Sequence, residues 1–264
     1  MTNAYFSPID EDSYGGRYRA DAATGGPWNP ELQHGGPPNA LLVRAAERAA
    51  SAGAGRTDLI ACRLAAEFVG PVPVSEVSTC ARIVRSARSG VLVEVGLTVG
   101  DRDCLNGRVW LVRDADTGTV AQPPGPTQQR PPAADPGFGL SFPYSDSIDW
   151  HEVGGSITVP GPGSVWARPR YSLVPGEELT GLQRVALIGD SASGVSAELD
   201  WATWSFLNVD LDVHLSRPFV GDWLHMDAAT QLGTNGAGLA RSTISDRHGP
   251  LAATAQTLII ARRS

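Results

Sequence analysis

Asp190 is the ionisable residue best placed to activate a water. It ends an apolar helical stretch (Leu182, Val185, Ala186, Ile188) and precedes Ser191-Ala192-Ser193-Gly194. A carboxylate there lies near the negative pole of the helix dipole, which pushes its pKa upward and suits it to act as a base. The same position equally suits a residue that merely caps the Ser/Gly loop. Gln256 is the second polar residue out of place. It sits among Ala253, Thr254, Ala255, Leu258, Ile259 and Ile260, on the strand face of Thr254 and Leu258. A buried amide there needs partners, so it is a satisfied core amide, an outward-facing residue or part of a site. Gln33-His34-Gly35-Gly36 is a third candidate. Glycines at a helix start expose backbone N–H groups that can bind an oxyanion or a phosphate. His34 beside them is either an acid–base group or a packing residue where two units meet.

Other polar clusters read as ordinary surface. Asp210, Asp212 and His214 share the polar face of one strand, and His248 falls in a turn. Gly189-Asp190-Ser191 resembles the nucleophile motif of a serine hydrolase, but it follows a helix in mid-chain and no Asp-x-x-His closes the chain. Neither a Gly-x-Ser-x-Gly elbow nor a dinucleotide or phosphate loop is present.

The elements that must position these residues occur twice. Val209, Leu211, Val213 and Leu215 alternate with polar residues until Pro218, and Cys62, Leu64, Ala66 and Phe68 do the same before Pro71. Period-two alternation marks a half-buried strand. A helix precedes each copy. The first follows Pro37-Pro38, buries Leu41, Leu42, Ala45, Ala46 and Ala49, and stops at Gly53. The second is expected to start at Pro175-Gly176-Glu177-Glu178, with Leu179, Leu182, Val185, Ala186 and Ile188 as its apolar face. Strands are expected at 59–69, 74–85, 90–99 and 104–113, and again at 204–216, 222–231, 237–245 and 251–261. The turn at Ser89-Gly90 matches Asn235-Gly236, and Asp101-Arg102 matches Asp246-Arg247. Residues 1–33 read as an irregular lead-in with one short strand. Residues 121–137 form a Pro-rich connector, and 154–163 hold a further Gly/Pro cluster.

Composition bounds the rest. At 264 residues, 42% hydrophobic and 19% charged, the chain is in the ordinary globular range. A net charge of −7 argues against broad nucleic-acid binding. No apolar run is long enough for membrane insertion and no leader is evident, so a cytoplasmic location is expected. The three cysteines, Cys62, Cys80 and Cys104, are an odd number without metal-ligand spacing, and buried reduced thiols are expected.

A helix followed by antiparallel strands, twice, is the layout of an α+β double hotdog: two antiparallel sheets, each wrapped round a central helix. The units are expected at 1–120 and 164–264, joined by a connector at 121–163. With residues 26–42, Glu67 to Pro71, 182–194, 208–218 and Ala255-Gln256 in this order, the chain resembles the thioesterase-like superfamily that contains the acyl-CoA thioesterase II enzymes. The resemblance implies hydrolysis of acyl-CoA thioesters, with Asp190, Asn208 and Gln256 as the catalytic group. Asn208 is a departure, since the family has a hydroxyl residue there, but an amide can also orient a water. Aligned by the prolines, Asn208 falls on Ala61 and Gln256 near Arg108 or Val109, so one site per chain is expected. His34, Gly35 and Gly36 are secondary, substrate-binding candidates, and Arg217, Arg262 or Arg263 are candidates for the CoA phosphates. No cofactor or metal is expected, and exposed sheet edges suggest a homodimer or higher homo-oligomer. The alternatives are a non-catalytic acyl or hydrophobic-ligand binding protein, and a hotdog hydratase or dehydratase.

Overall fold

The computed structural model describes residues 3–122, 125 and 138–263. Most of the Pro-rich stretch at 121–137 lies outside these residues. The first half runs β1 (Phe6–Asp12), β2 (Gly15–Ala20), α1 (Gly36–Ala54), β3 (Leu59–Phe68), β4 (Glu76–Ala87), β5 (Gly90–Val99) and β6 (Arg102–Arg113). The second runs β7 (Ile148–Ser156), β8 (Val159–Pro169), α2 (Gly181–Gly189), α3 (Ala192–Val195), β9 (Trp204–Asn208), β10 (Asp210–Leu215), β11 (Leu224–Leu232), β12 (Ala237–Asp246) and β13 (Gly249–Arg262).

The strands form one open antiparallel sheet in the order β1-β2-β4-β5-β6-β3-β10-β13-β12-β11-β8-β7, with β9 added on β13. Read inward from either edge, the two halves have the same order, so the expected double hotdog is present with its two sheets joined across β3 and β10. At that seam Ala65 lies opposite Asp212, the residue with which the repeated frame aligns it. The pseudo-twofold axis therefore passes through this pair. The copies also share an irregularity: the β3–β6 register shifts at Cys62, and β9 breaks from β10 at the matching Val209.

The two helices lie on the same side and pack on each other. Leu41, Leu42, Val43, Ala45, Ala46, Ala49 and Ala50 of α1 are buried, and α1 packs against β3 to β6 as well as α2. The many alanines permit a close approach. The tightest point is at Gly36, where a Cβ would stand 2.1 Å from Leu187 O.

Several expectations change. The lead-in contains a hairpin, β1–β2, where one short strand was expected. The α1 helix ends at Gly55, in the left-handed region at φ 59°, and not at Gly53. The α2 helix begins after Thr180, whose Oγ1 accepts from Gln183 N; Glu177 instead pairs with Arg44. The Gly/Pro cluster at 154–163 belongs to the β7–β8 hairpin, so the connector expected over 121–163 contains β7 and the start of β8. Pro160 and Pro162 fit because they fall between the pairs Ser156–Val159 and Gly154–Ser164, where register shifts and no ladder bond is lost. All three cysteines are free thiols, but only Cys104 is buried and Cys80 is exposed on β4. Among the described residues no helix is long and apolar enough to cross a membrane.

Candidate active site

The helical segment of the second half breaks at Asp190, the C-cap of α2, and resumes as the single turn α3. The break turns the Asp190 carboxylate toward β9, β13 and the start of α1, with its side chain only 3% exposed. Its Oδ1 accepts from Asn208 Nδ2 at 2.8 Å and from Gln256 Nε2 at 3.2 Å. Gln256 Nε2 also reaches Asp190 O at 3.1 Å, and Asn208 Nδ2 reaches Asp210 O at 3.3 Å. Two amides on adjacent strands thus hold one carboxylate oxygen. Asn208 pairs with Leu258 on β13, two residues beyond Gln256, as Ala61 pairs with Leu111 on β6. The first-half counterpart of Gln256 is therefore Val109, which is fully buried and apolar.

On the other oxygen, Oδ2, stands His34 Nδ1 at 3.1 Å. The same nitrogen lies 3.1 Å from Gly36 N. Facing a carboxylate favours the Nδ1–H tautomer; in that state Nδ1 donates to Oδ2 and cannot also accept from Gly36 N–H, whose contact is then not a hydrogen bond. Burial lowers the His34 pKa, with Asp190 pulling it the other way, so the ring is neutral at pH 7. It stacks on Tyr144 at 3.8 Å and 5°. Tyr144 is itself buried and donates to Leu187 O at 2.6 Å, which anchors the ring pair to α2. Burial drives the Tyr144 pKa upward and keeps that donor protonated.

Gly35 caps α1 directly over the carboxylate. A Cβ there would lie 2.7 Å from both Asp190 oxygens and 2.5 Å from Phe68 Cζ. The positive pole of α1 therefore faces Asp190 opposite the negative pole of α2, whereas the sequence reading considered α2 alone. Pro37 and Pro38 remove two backbone donors from the first turn, and Gly36 N–H, which points at His34 Nδ1, is left without an acceptor when that nitrogen carries the proton. Among the described residues Gly35 N has no hydrogen-bond partner.

Asp190, Asn208, His34 and Gly35 line a cavity of about 480 Å³. Its walls come from residues 26–35, from Phe68 to Val72, from the α2–α3 break and from β9. Gln256 and Gly36 lie just behind the lining. Arg217 is elsewhere: it makes a bidentate pair with the buried Asp246 and donates to Gly249 O and Pro250 O, so it clamps the β12–β13 turn. The CoA role expected for Arg217 is therefore corrected. Arg263 lies behind two residues of the cavity wall, 5.6 Å from the Trp28 ring and donating to Trp201 O.

Sequence reasoning missed Tyr144 and the aromatic walls. Trp28 fell inside a quoted motif but carried no assigned role. Tyr144 follows the connector and has no periodic neighbours to mark it.

Family models match the chain over residues 24–112 as an acyl-CoA thioesterase N-terminal domain and over 120–260 as an acyl-CoA thioesterase C-terminal domain. The chain belongs to the acyl-CoA thioesterase family. Thioester hydrolysis is the activity this membership carries. No curated protein sequence matches it. Among solved structures, a putative thioesterase II from Thermobifida fusca is similar with a TM-score of 0.77 at 18% identity, covering 99% of this chain and 98% of that one. The hot dog fold protein from Alicyclobacillus acidocaldarius gives 0.75 at 15%, covering 97% and 96%. Acyl-CoA thioesterase II TesB2 from Mycobacterium marinum gives 0.69 at 17%, covering 98% and 95%. At these identities the likeness shows the fold.

Proposed function

We propose that this thioesterase cleaves acyl-CoA by direct attack of a water held at Asp190, Asn208 and Gln256. The observation that supports this most is the unfinished hydrogen bonding of the site. A carboxylate offers about four lone-pair directions. Two are taken by the amides on Oδ1 and one by His34 on Oδ2, which leaves one on Oδ2 for a water. Gln256 Oε1 is buried without a partner, and an acceptor in that state calls for an O–H donor. The water's two hydrogens then go to Asp190 Oδ2 and Gln256 Oε1, while Asn208, whose amide nitrogen donates to Asp190 and Asp210, fixes the carboxylate.

In the reaction Asp190 takes a proton from the water as its oxygen bonds to the thioester carbonyl carbon. Gly35 N–H, at the positive end of α1, receives the developing oxyanion. Collapse of the tetrahedral intermediate breaks the C–S bond, and the proton on Asp190 passes to the leaving CoA sulfur. His34 stays neutral and keeps the carboxylate oriented. The acyl group occupies the cavity, with the CoA phosphates near Arg263 and Arg262. Among the described residues β1 and β7 form the edges of the open sheet, with Phe6 N–H on β1 taken by Leu173 O, and these edges support the expected homodimer.

The test is release of free thiol from a panel of acyl-CoAs by wild type and Asp190→Asn. Turnover that the variant loses supports the assignment. Full activity in Asp190→Asn would reject the site, and binding without thiol release from any substrate would favour the acyl-binding alternative.

A further inference from the structure

Four of the six phenylalanines in the chain, Phe68, Phe138, Phe142 and Phe206, line this one cavity, together with Trp28 and Trp201. The fold does not require this concentration, since most of the buried core is Val, Leu and Ala. The rings are also fixed by one another. Trp28 stacks on Trp201 at 4.9 Å and 28°, and Phe206 meets the two at 4.9 Å and 4.7 Å with its edge. Trp201 Nε1 donates to Ile157 O at 3.1 Å, which locks the indole plane. Phe138 lies flat against Trp150 at 4.2 Å and 17°. The aliphatic part of the described lining is mostly β-branched and stiff at χ1 (Val69, Val72, Ile157, Val209 and Ile259), and Leu32 and Leu207 are its only leucines, Leu207 being 46% exposed.

Such walls offer flat faces and ring edges at set angles. A planar ring gains offset-stacked and edge-to-face contacts there. A polymethylene chain gains no such contacts, and it must give up rotamer freedom to lie against walls that cannot repack around it, as Leu- or Met-lined tunnels do. Resting on the thioester-hydrolase reading above, we infer that the acyl group this cavity selects is aryl-bearing, a phenyl-type ring seated among Trp28, Trp201 and Phe206. The aliphatic acyl-CoAs are then the poorer substrates.

The experiment compares phenylacetyl-CoA and 3-phenylpropionyl-CoA with octanoyl-CoA and palmitoyl-CoA. The best aryl substrate should exceed the best straight-chain one by about tenfold in kcat/KM. Trp201→Leu, and independently Phe206→Leu should the first variant fold poorly, should lower kcat/KM for the aryl substrates about tenfold more than for octanoyl-CoA, erasing that ratio. A straight-chain substrate equal to or better than both aryl substrates overturns the inference. Absence of any turnover by wild type removes the hydrolase reading alone. The inference is then decided by titrating 3-phenylpropionyl-CoA and octanoyl-CoA against tryptophan fluorescence: tenfold tighter aryl binding upholds it, and equal binding overturns it.

Discussion

Asp190 and Glu47 stand in matching corners of the two halves. Each is a carboxylate on one central helix that faces the N-terminus of the other. Asp190 faces Gly35, the N-cap of α1. Glu47 faces Thr180, the N-cap of α2, and accepts from Thr180 Oγ1 at 2.8 Å and Gln183 Nε2 at 2.5 Å. Beyond that the corners diverge. Asp190 lines the cavity and Glu47 does not. The space beside Glu47 is filled by Arg44, 2% exposed, which bridges Glu11 and Glu177 and touches Tyr18. The amides that hold Asp190 have Ala61 and Val109 as counterparts, so the first half has nothing to orient a water. The duplicated fold sets a carboxylate against the N-terminus of the neighbouring helix twice; in the proposed mechanism only the copy with two strand amides and an open volume holds a water.

The largest expected effect breaks the comparison in the rate. Asp190→Asn should lower kcat by about 10²–10⁴-fold, the range for losing a general base. Glu47→Gln should leave kcat unchanged, and thiol-release kinetics on both variants checks the pair. In stability the order reverses. Arg44→Ala removes the partner of Glu11 and of the more exposed Glu177 and should cost about 1.5–3 kcal/mol by urea unfolding.

A comparable effect concerns pH. Desolvation pushes the Glu47 pKa up to about 7, against Thr180 and Gln183, whose hydrogen bonds lower it. A folded pKa above the usual 4.5 means that the native state binds the extra proton. This contribution is full below pH 4.5 and is lost as pH rises through 7. It amounts to about 3 kcal/mol. The lowered His34 pKa acts in the opposite direction as pH rises through 6.5, so the diagnostic quantity is wild type minus Glu47→Gln, measured from pH 4.5 to 8. A flat difference would show that Glu47 carries no such linkage. Last, Asn208→Thr should change kcat only a few-fold, because a hydroxyl donor to the Asp190 carboxylate replaces an amide donor of similar worth, about 1.5–3 kcal/mol. Asn208→Leu should lose much more.

Much of the site was legible because its members break local patterns. Gln256 is polar in an apolar strand, and Asp190 ends an apolar helix. Arg217 was misread for the converse reason: a lone arginine after a strand looks free until Asp246, 29 residues away, is seen to claim it. The hairpin prolines misled because a register shift, invisible in one strand's sequence, is what accommodates them. The aromatic cavity had no linear signature, since its six rings come from positions between 28 and 206.

By itself the sequence determined the duplicated strand frame, the helix before each copy and the asymmetry between Asn208 and Ala61. These follow from side-chain period and from which residues interrupt it. Only the tertiary structure decided that α1's N-terminus meets α2's C-terminus, that His34 turns to Oδ2, and that a cavity opens at Asp190 and not at Glu47. Those outcomes depend on contacts such as Gly36 against Leu187 and Arg44 against Glu177, between residues more than a hundred positions apart in the chain, which no local periodicity encodes.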